Sequence, residues 1–394
     1  MAKDKPYYPH KPIGSIDALA KSLGVIPGLL NDMAKDTSKS YIKFTVPGKN
    51  GKKDRDVYEP KFELKRIQKR INSRIFESIE FPTYLQGGIK DDLSPRDYIK
   101  NSIQHAGSKS LIGLDIKNFY PNIREQHVLA IFKNLFNFPN DVSALLTSLV
   151  TLDGRVPQGA CTSSYIANLV FFNSEYKIVS ALRGKGLTYT RLLDDITISS
   201  AKLIPQENSI EHIKSVAGLV KKLDLRLNNS KTKIERSDDL KSEYEVTGVW
   251  VGHGIPKLRK ADRKYIRQLV YICEKEAAKS ISSDEYHKLW NRVSGQVAKC
   301  TRLGHPQAEN YRLRLSKILP TYDETAKKKL ISDSIRLMKK PSSSHSRISV
   351  INSYRKTIYA LGILSRTDRS LSRSIRRKLQ ARFANLPSKA EMWD

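Results

Sequence analysis

The sequence predicts an α+β fold: a central antiparallel sheet among helices, followed by a helical, strongly basic C-terminal third. Three observations predict it. Between residues 111 and 252 short strand-like runs alternate with helical segments, and LTYTRLL (187–193) and ITISS (196–200) are separated by Asp194-Asp195 alone, as a tight hairpin requires. Past residue 252 apolar residues recur at helix spacing, as in Tyr265, Leu269, Ile272 and Cys273, or Ile331, Ile335 and Met338. Charge is uneven too: 70 Lys and Arg face 40 Asp and Glu, a net of +30, and residues 252–394 hold 32 of the cations but only 12 of the acids.

Taken in order, residues 15–35 read as one or two short helices broken at Pro27-Gly28. YIKFTV (41–46) alternates like a strand, PGKNGKKDRD (47–56) is turn-like, and FELKRIQKRINSRIFESI (62–79) repeats apolar positions every three or four residues as a helix does. SLIGLDI (110–116) is a strand. Helices are expected near 125–137, through 141–150 and 162–182, and at 208–223, with YEVTGVWV (244–251) strand-like. PSSSHS (341–346) reads as a hinge before a last basic segment. In that segment RSLSRSIRRKLQARF (369–383) sets Leu371, Ile375, Leu379 and Phe383 at i, i+4 spacing, one apolar stripe on a basic helix.

A chain of 394 residues is long enough for two or three packed units. Its three cysteines, Cys161, Cys273 and Cys300, are odd in number and lack metal-ligand spacing. That excludes a disulfide framework and a Cys-type zinc site, and suits a reducing cytoplasm. No run approaches the roughly 18–20 apolar residues of a membrane span, and the opening MAKDKPYYPHKP has no apolar stretch that would serve as a secretory signal. The positive balance points to a polyanionic partner, with nucleic acid the default. In the C-terminal third the excess lacks acidic partners, which favours a phosphate-backbone track over merely solvated helix faces.

The most informative residues are three aspartates in apolar strands. Asp115 follows Leu111, Ile112 and Leu114, while Asp194 and Asp195 lie between Leu192-Leu193 and Ile196. Ionised carboxylates among such neighbours are costly unless paired or metal-bound. Two in succession repel each other, with only Arg191 nearby in sequence. A tight turn lets both stand near one sheet edge, and Asp115 from a neighbouring strand completes a site for two divalent cations that promote phosphoryl transfer. A lone Asp-Asp between apolar runs is ordinarily a surface turn, so the order of the surrounding blocks carries the weight.

That order is GLDIKNFYPNI (113–123), VPQGACTSSYIANL (156–169), YTRLLDDITIS (189–199), LRLNNSKTKI (225–234) and VTGVWV (246–251). The succession resembles the blocks of bacterial retron-type reverse transcriptases and their defence-associated relatives. RDVYEPKFELKRIQKRI (55–71) is similar to the family's fingers, and residues 290–318 to its thumb. NSIQH (101–105) resembles the retron pattern Asn-Ala-x-x-His with Ser102 for alanine, and Val246-Thr247-Gly248 matches a second retron hallmark. The resemblance spans about residues 15–320 and implies a right-hand polymerase. Residues 1–44 are then an N-terminal helical segment, 45–110 the fingers, 111–252 the palm with its antiparallel sheet and catalytic carboxylates, 253–320 a helical thumb, and 321–394 a basic helical C-terminal extension.

Residue by residue, the resemblance places Asp115, Asp194 and Asp195 on the metal-binding triad for two Mg²⁺ ions, with Mn²⁺ as an alternative, and puts Ile116 at both the metal and the dNTP. Tyr120 falls where an aromatic underlies the incoming sugar and excludes a 2′-hydroxyl by clash, leaving Phe119 for the core. Gln158 and Gly159 match the block beneath the nascent base pair. Lys231 corresponds to the lysine that protonates departing pyrophosphate. Lys53 and Arg55 lie in the fingers turn that grips the triphosphate. Nucleic-acid contacts are implied for Asn101, His105, Thr247 and Gly248, and extended to Arg259, Lys260, Arg263, Arg376 and Arg377 on the basic helices.

Besides Ser102, four positions depart from the family. Leu192 and Leu193 replace an aromatic and a small residue before the paired aspartates, which bears on the contact with the primer end. Asn118 stands where an acid is common, and Cys161 where proline is. Residues 321–394 reach past the end of small retron enzymes, and the apolar stripe of 369–383 leaves three roles open: docking on the thumb, joining another subunit, or holding RNA with the charged face. The resemblance implies an RNA-directed DNA polymerase that copies an associated structured noncoding RNA into DNA from dNTPs, with a role in antiphage defence. A companion defence protein or a second copy of the chain is a further partner, and no membrane is involved. The alternatives are a noncatalytic, maturase-like RNA-binding protein and a template-independent or protein-primed polymerase.

Overall fold

A computed structural model describes residues 4–48, 54–239, 242–388 and 391–393. The chain divides into two compact units, Met1–Pro256 and Lys257–Asp394.

Among the described residues the first unit is built on eight short strands. β1 (Tyr41–Val46) and β2 (Arg55–Pro60) form an antiparallel hairpin. β3 (Ser110–Asp115), β4 (Leu187–Leu192), β5 (Asp195–Ser200) and β6 (Lys233–Arg236) form one antiparallel sheet in the order β4-β5-β3-β6. β7 (Glu245–Val246) and β8 (Val249–Trp250) make a small hairpin. The apolar continuity of 110–116 is explained by position. β3 is central and buried on both faces, with Ile112, Leu114 and Ile116 in a core that also takes Phe119, Ile131, Phe132, Leu146, Ile166 and Ile198.

Several expected elements end or break elsewhere, for local reasons. The N-terminal helices are Ile16–Leu23 and Pro27–Lys35, and the break falls at Gly24, in left-handed conformation at φ +63°. Pro27 opens the second helix, where its missing N–H costs nothing. The helix expected over 62–79 stops at Arg74 and gives way to a 3₁₀ turn, Phe76–Ser78. The helix expected over 162–182 is two, Ser163–Leu169 and Glu175–Gly184, which brings Glu175 into the interior at the start of the second. YEVTGVWV folds back on itself: Thr247 (φ +49°) and Gly248 (φ +76°) form the two-residue turn between β7 and β8.

The second unit is helical. Lys260–Lys279, Asp284–Arg302 and Ala308–Ser316 enclose Ile266, Leu269, Val270, Cys273, Val293, Val297, Tyr311 and Leu315. The helices Glu324–Met338, Ile348–Leu364 and Arg369–Arg382 form a second bundle around Leu330, Leu337, Leu361, Leu364, Ile375, Leu379 and Phe383. The apolar stripe of 369–383 packs into its own bundle, an arrangement outside the three roles left open for it. The two bundles are tied by Tyr322 stacked on His287, and by Arg366, which lies over the Trp290 ring and donates to the Pro320 carbonyl. The buried stripe of 324–338 runs through Leu330, Ser334 and Leu337, not through Ile331, Ile335 and Met338, and Ile335 is exposed. Adjacent apolar pairs such as Leu330-Ile331 and Leu337-Met338 let two stripes compete in the sequence. PSSSHS holds a 3₁₀ turn, Ser342–Ser344, and two helices follow it where one basic segment was expected. Among the described residues no helix is long and apolar enough to cross a membrane.

Candidate active site

The sheet register gathers the aspartates. Asp115, the last residue of β3, is the direct antiparallel partner of Asp195, the first of β5, and Asp194 is the second residue of the Leu193-Asp194 turn. The Ile116 N–H donates to the Asp194 carbonyl (3.0 Å), fixing the turn against the end of β3. Like charges facing each other across strands are destabilising unless a cation intervenes. Here the protein supplies one: Lys231 Nζ lies 2.5 Å from Asp115 Oδ1, and Asn228 Nδ2 donates to Oδ2 (3.3 Å). Burial raises the Asp194 carboxyl above its usual range and the Asp115 charge adds to the rise, offset in part by its own backbone N–H, Lys231 and Arg55.

Among the described residues no three His, Cys, Asp or Glu side chains are gathered to hold a metal ion as they stand. Both oxygens of Asp115 are engaged instead by Lys231 and Asn228. The donors nevertheless fit hard divalent cations: they are all oxygen, they are crowded at one sheet edge, and burial and Asp115 leave Asp194 short of positive charge. Lys231 is 49% exposed on a flexible stem, so it can leave Asp115 when another cation arrives.

Beneath the turn lies a charged network only half visible in the sequence. Arg191, in β4, is fully buried, and Glu175 accepts from it at both oxygens (2.6 and 2.7 Å). Tyr189 Oη donates to the same carboxylate (2.8 Å), and Phe171 lies under the guanidinium at 5.2 Å. An arginine inside an apolar strand was the available signal, because it demands a buried acid; the sequence does not say which. Above the turn, Gly87 and Gly88 approach Leu192 and Leu193 so closely that a Cβ on Gly87 would stand 3.0 Å from Leu192 Cγ. Nothing in the sequence reading pointed to that glycine pair.

Tyr120 is half-buried near Asp194. Burial, with the Asp194 charge adding to it, pushes its pKa up to about 12. Phe119 is the core residue of the pair and stacks on Phe171. The Gln158 carbonyl accepts from the Tyr58 N–H of β2 (2.8 Å). Gly159 adopts φ +106°, and a Cβ there would meet Val57 Cγ1 at 2.5 Å. Arg55 is exposed on β2, near enough to act on Asp194. Ile116 has a buried side chain and contributes its backbone. Lys53 lies outside the described residues.

Two expected nucleic-acid contacts need correction. His105 is buried, with Nδ1 2.7 Å from Ser199 Oγ and Nε2 2.7 Å from Thr190 Oγ1, and burial lowers its pKa to about 3. Asn101 is buried as well, and its amide lacks a hydrogen-bond partner among the described residues. His105 serves the interior, tying the segment after the helix Tyr98–Ile103 to β4 and β5, while Thr247 Oγ1 donates to the Tyr98 carbonyl (3.1 Å) from the β7–β8 turn. A motif read from letters does not reveal which way a helix turns its polar side chains. In the second unit Arg259 pairs with Asp262, Lys260 and Arg263 open the helix Lys260–Lys279, and Arg377 is exposed. Arg376 turns inward instead, donating to the Ile358 carbonyl (3.2 Å).

Residues 47–266 match the family model described as reverse transcriptase (RNA-dependent DNA polymerase). A retron Se72 reverse transcriptase of Salmonella heidelberg is 47% identical over 380 residues, covering 96% of this chain and 98% of the relative. A retron Ec48 reverse transcriptase of Escherichia coli is 33% identical, covering 81% and 80%. A retron Ec86 reverse transcriptase, also of Escherichia coli, is 26% identical, covering 59% and 69%.

Proposed function

The chain belongs to the retron reverse transcriptases, RNA-directed DNA polymerases of right-hand fold, and on that premise we propose that Asp115, Asp194 and Asp195 carry its chemistry. The observation that carries the proposal is the register that sets Asp115 opposite Asp195 with Asp194 in the adjoining turn. The three carboxylates would hold two Mg²⁺ ions, or Mn²⁺ in their place. Such ions, when bound, supply the positive charge that favours ionisation of a primer hydroxyl and offsets charge on the triphosphate. Lys231, released from Asp115, neutralises and protonates the departing pyrophosphate. Tyr120 closes the space a 2′-hydroxyl would need, Gln158 and Gly159 support the nascent pair, and Arg55 with Lys53 holds the triphosphate.

The fingers correspond to 45–110, the palm to 111–252, the thumb to 253–320 and the basic extension to 321–394. The template is a structured noncoding RNA, gripped in part by the basic helices of the second unit, and the product is DNA made in antiphage defence. The test is incorporation of labelled dNTPs by the protein with its co-transcribed RNA and Mg²⁺. The parent should incorporate while Asp194→Asn and Asp195→Asn do not; incorporation by the variants at the parental rate overturns the assignment. Tyr120→Ala should admit rNTPs, and unchanged sugar selectivity removes the gate.

A further inference from the structure

We infer that Arg191 is a positioning residue for polymerisation: its buried guanidinium holds the Leu193 carbonyl and thereby keeps the catalytic turn in the shape that presents Asp194. This rests on the carboxylate reading of the site. The turn needs such a post. Leu193 is the first of two residues joining β4 to β5 and adopts φ +60°. Hairpin turns with positive φ at that position favour glycine, and a leucine there is strained because its Cβ crowds the following carbonyl. A strained turn persists only where its surroundings over-determine it.

Arg191 does so with every donor it has. Nε and one Nη2 N–H go to the Glu175 carboxylate, the other Nη2 N–H to the Asn168 carbonyl (3.0 Å), and Nη1 to the carbonyls of Ala167 (2.9 Å) and Leu193 (3.1 Å). A guanidinium has five N–H groups in a rigid fork, and all five are used. Four of these bonds anchor Arg191 to the helix ends beneath the sheet; the fifth reaches the turn. From above, Gly88 packs beside Leu193, whose Cδ2 lies 3.4 Å from where a Cβ on that glycine would stand. Asn168 links the two sides by donating from Nδ2 to the Gly87 carbonyl (2.7 Å). Asp194 is the next residue along the chain, and its own carbonyl accepts from Ile116 N–H, so a shift of the Leu193 peptide is transmitted to the end of β3.

The experiment exploits glycine. Arg191→Lys keeps the charge but cannot make the five bonds, whereas Leu193→Gly relieves the turn of its need for a post. Two quantities are read on the full chain. One is primer extension on poly(rA)/oligo(dT) with Mg²⁺; the other is metal-free hydrogen exchange of the peptide containing the Ile116 amide. In Arg191→Lys, kcat should fall by about 100-fold, the scale of an ångström-sized misplacement, with the dNTP KM within about 2-fold. Ile116 protection should fall with it. Arg191→Lys/Leu193→Gly should recover at least about 10-fold in kcat and restore the protection. If Arg191→Lys does not fold, Glu175→Gln, which loosens the same anchor, replaces it in the same pair of measurements. Parental kcat in the single variant overturns the inference. So does a loss that Leu193→Gly fails to repair, because Arg191 would then be a packing residue only. Asp195→Asn run in parallel separates the premises: if it polymerises like the parent, the carboxylate reading has failed, whatever Arg191 does.

Discussion

Two sites, one in each unit, use charge in opposite ways. In the first, Arg191 and Glu175 are buried and bonded to each other and to the backbone, so their charges fix geometry. In the second, Arg369, Arg373 and Arg377 line one exposed face of the helix Arg369–Arg382 at four-residue spacing, without an ion-pair partner among the described residues. Charge inside a low-dielectric core is unfavourable and is kept where it positions something. Charge in water costs little, acts over about a Debye length of roughly 10 Å, and fades with salt. The buried pair therefore uses charge for precision, while the exposed face of the last helix leaves its charge to solvent and salt.

The largest effect expected from this contrast is at Glu175. Glu175→Ala leaves the Arg191 guanidinium buried and unpaired, which should cost about 3–5 kcal/mol, read as the shift in a urea unfolding midpoint. A cost below about 1 kcal/mol would break the comparison, since surface pairs are worth that much. Next comes pH. His105 is buried neutral with its pKa lowered to about 3, against an ordinary value near 6.5. The unfolded chain takes up a proton below about pH 6.5 while the folded one resists, so its contribution is complete above that pH. It declines by about 1.4 kcal/mol per unit as pH falls towards 3. His105→Gln should flatten that segment of the stability–pH curve; an unchanged slope would mean the imidazole is not held neutral.

A smaller effect separates two glycines. Gly159→Ala in the first unit places a methyl 2.5 Å from Val57 Cγ1 at φ +106° and should destabilise by about 1–3 kcal/mol. Gly295→Ala, in the open middle of the helix Asp284–Arg302, should stabilise by about 0.4–1 kcal/mol. Thermal unfolding of the two variants reads the sign directly.

The same contrast explains what the sequence disclosed. The fold class was legible in the alternation of strand-like and helical runs, and the approach of Asp115, Asp194 and Asp195 through the order of the blocks that resemble retron-type enzymes, since an Asp-Asp between apolar runs is ordinarily a surface turn. Helix phase was not legible where apolar residues are adjacent, as at Leu330-Ile331, and strand-like YEVTGVWV hid a turn because Thr247 is an unusual residue at positive φ. Long-range pairings were the least visible. Glu175 lies 16 residues before Arg191, Gly87 far earlier than Leu193, and nothing local marks either as a partner. The resemblance implied nucleic-acid contacts at Asn101 and His105, and a motif does not say whether its polar side chains are covered.

The smallest change in stability, and the sharpest contrast, is expected on the outer face of the last helix. Replacing both Arg373 and Arg377 by Gln removes two exposed charges that have no ion-pair partner among the described residues, so the melting behaviour should move by no more than about 0.5 kcal/mol. If this face meets RNA, each phosphate left without its arginine should reduce the slope of log affinity against log salt by about 0.7–0.9. The double variant would then bind its RNA less tightly at low salt and converge with the parent at high salt. At saturating poly(rA)/oligo(dT) the kcat of extension should persist, because neither residue belongs to the carboxylate site. An unchanged salt slope with unchanged affinity would remove this helix from RNA binding and leave its arginines to an acidic protein partner. A large loss of stability would be the more damaging result, since it would show that this exposed face also holds structure, and its contrast with the buried Arg191–Glu175 pair would fail.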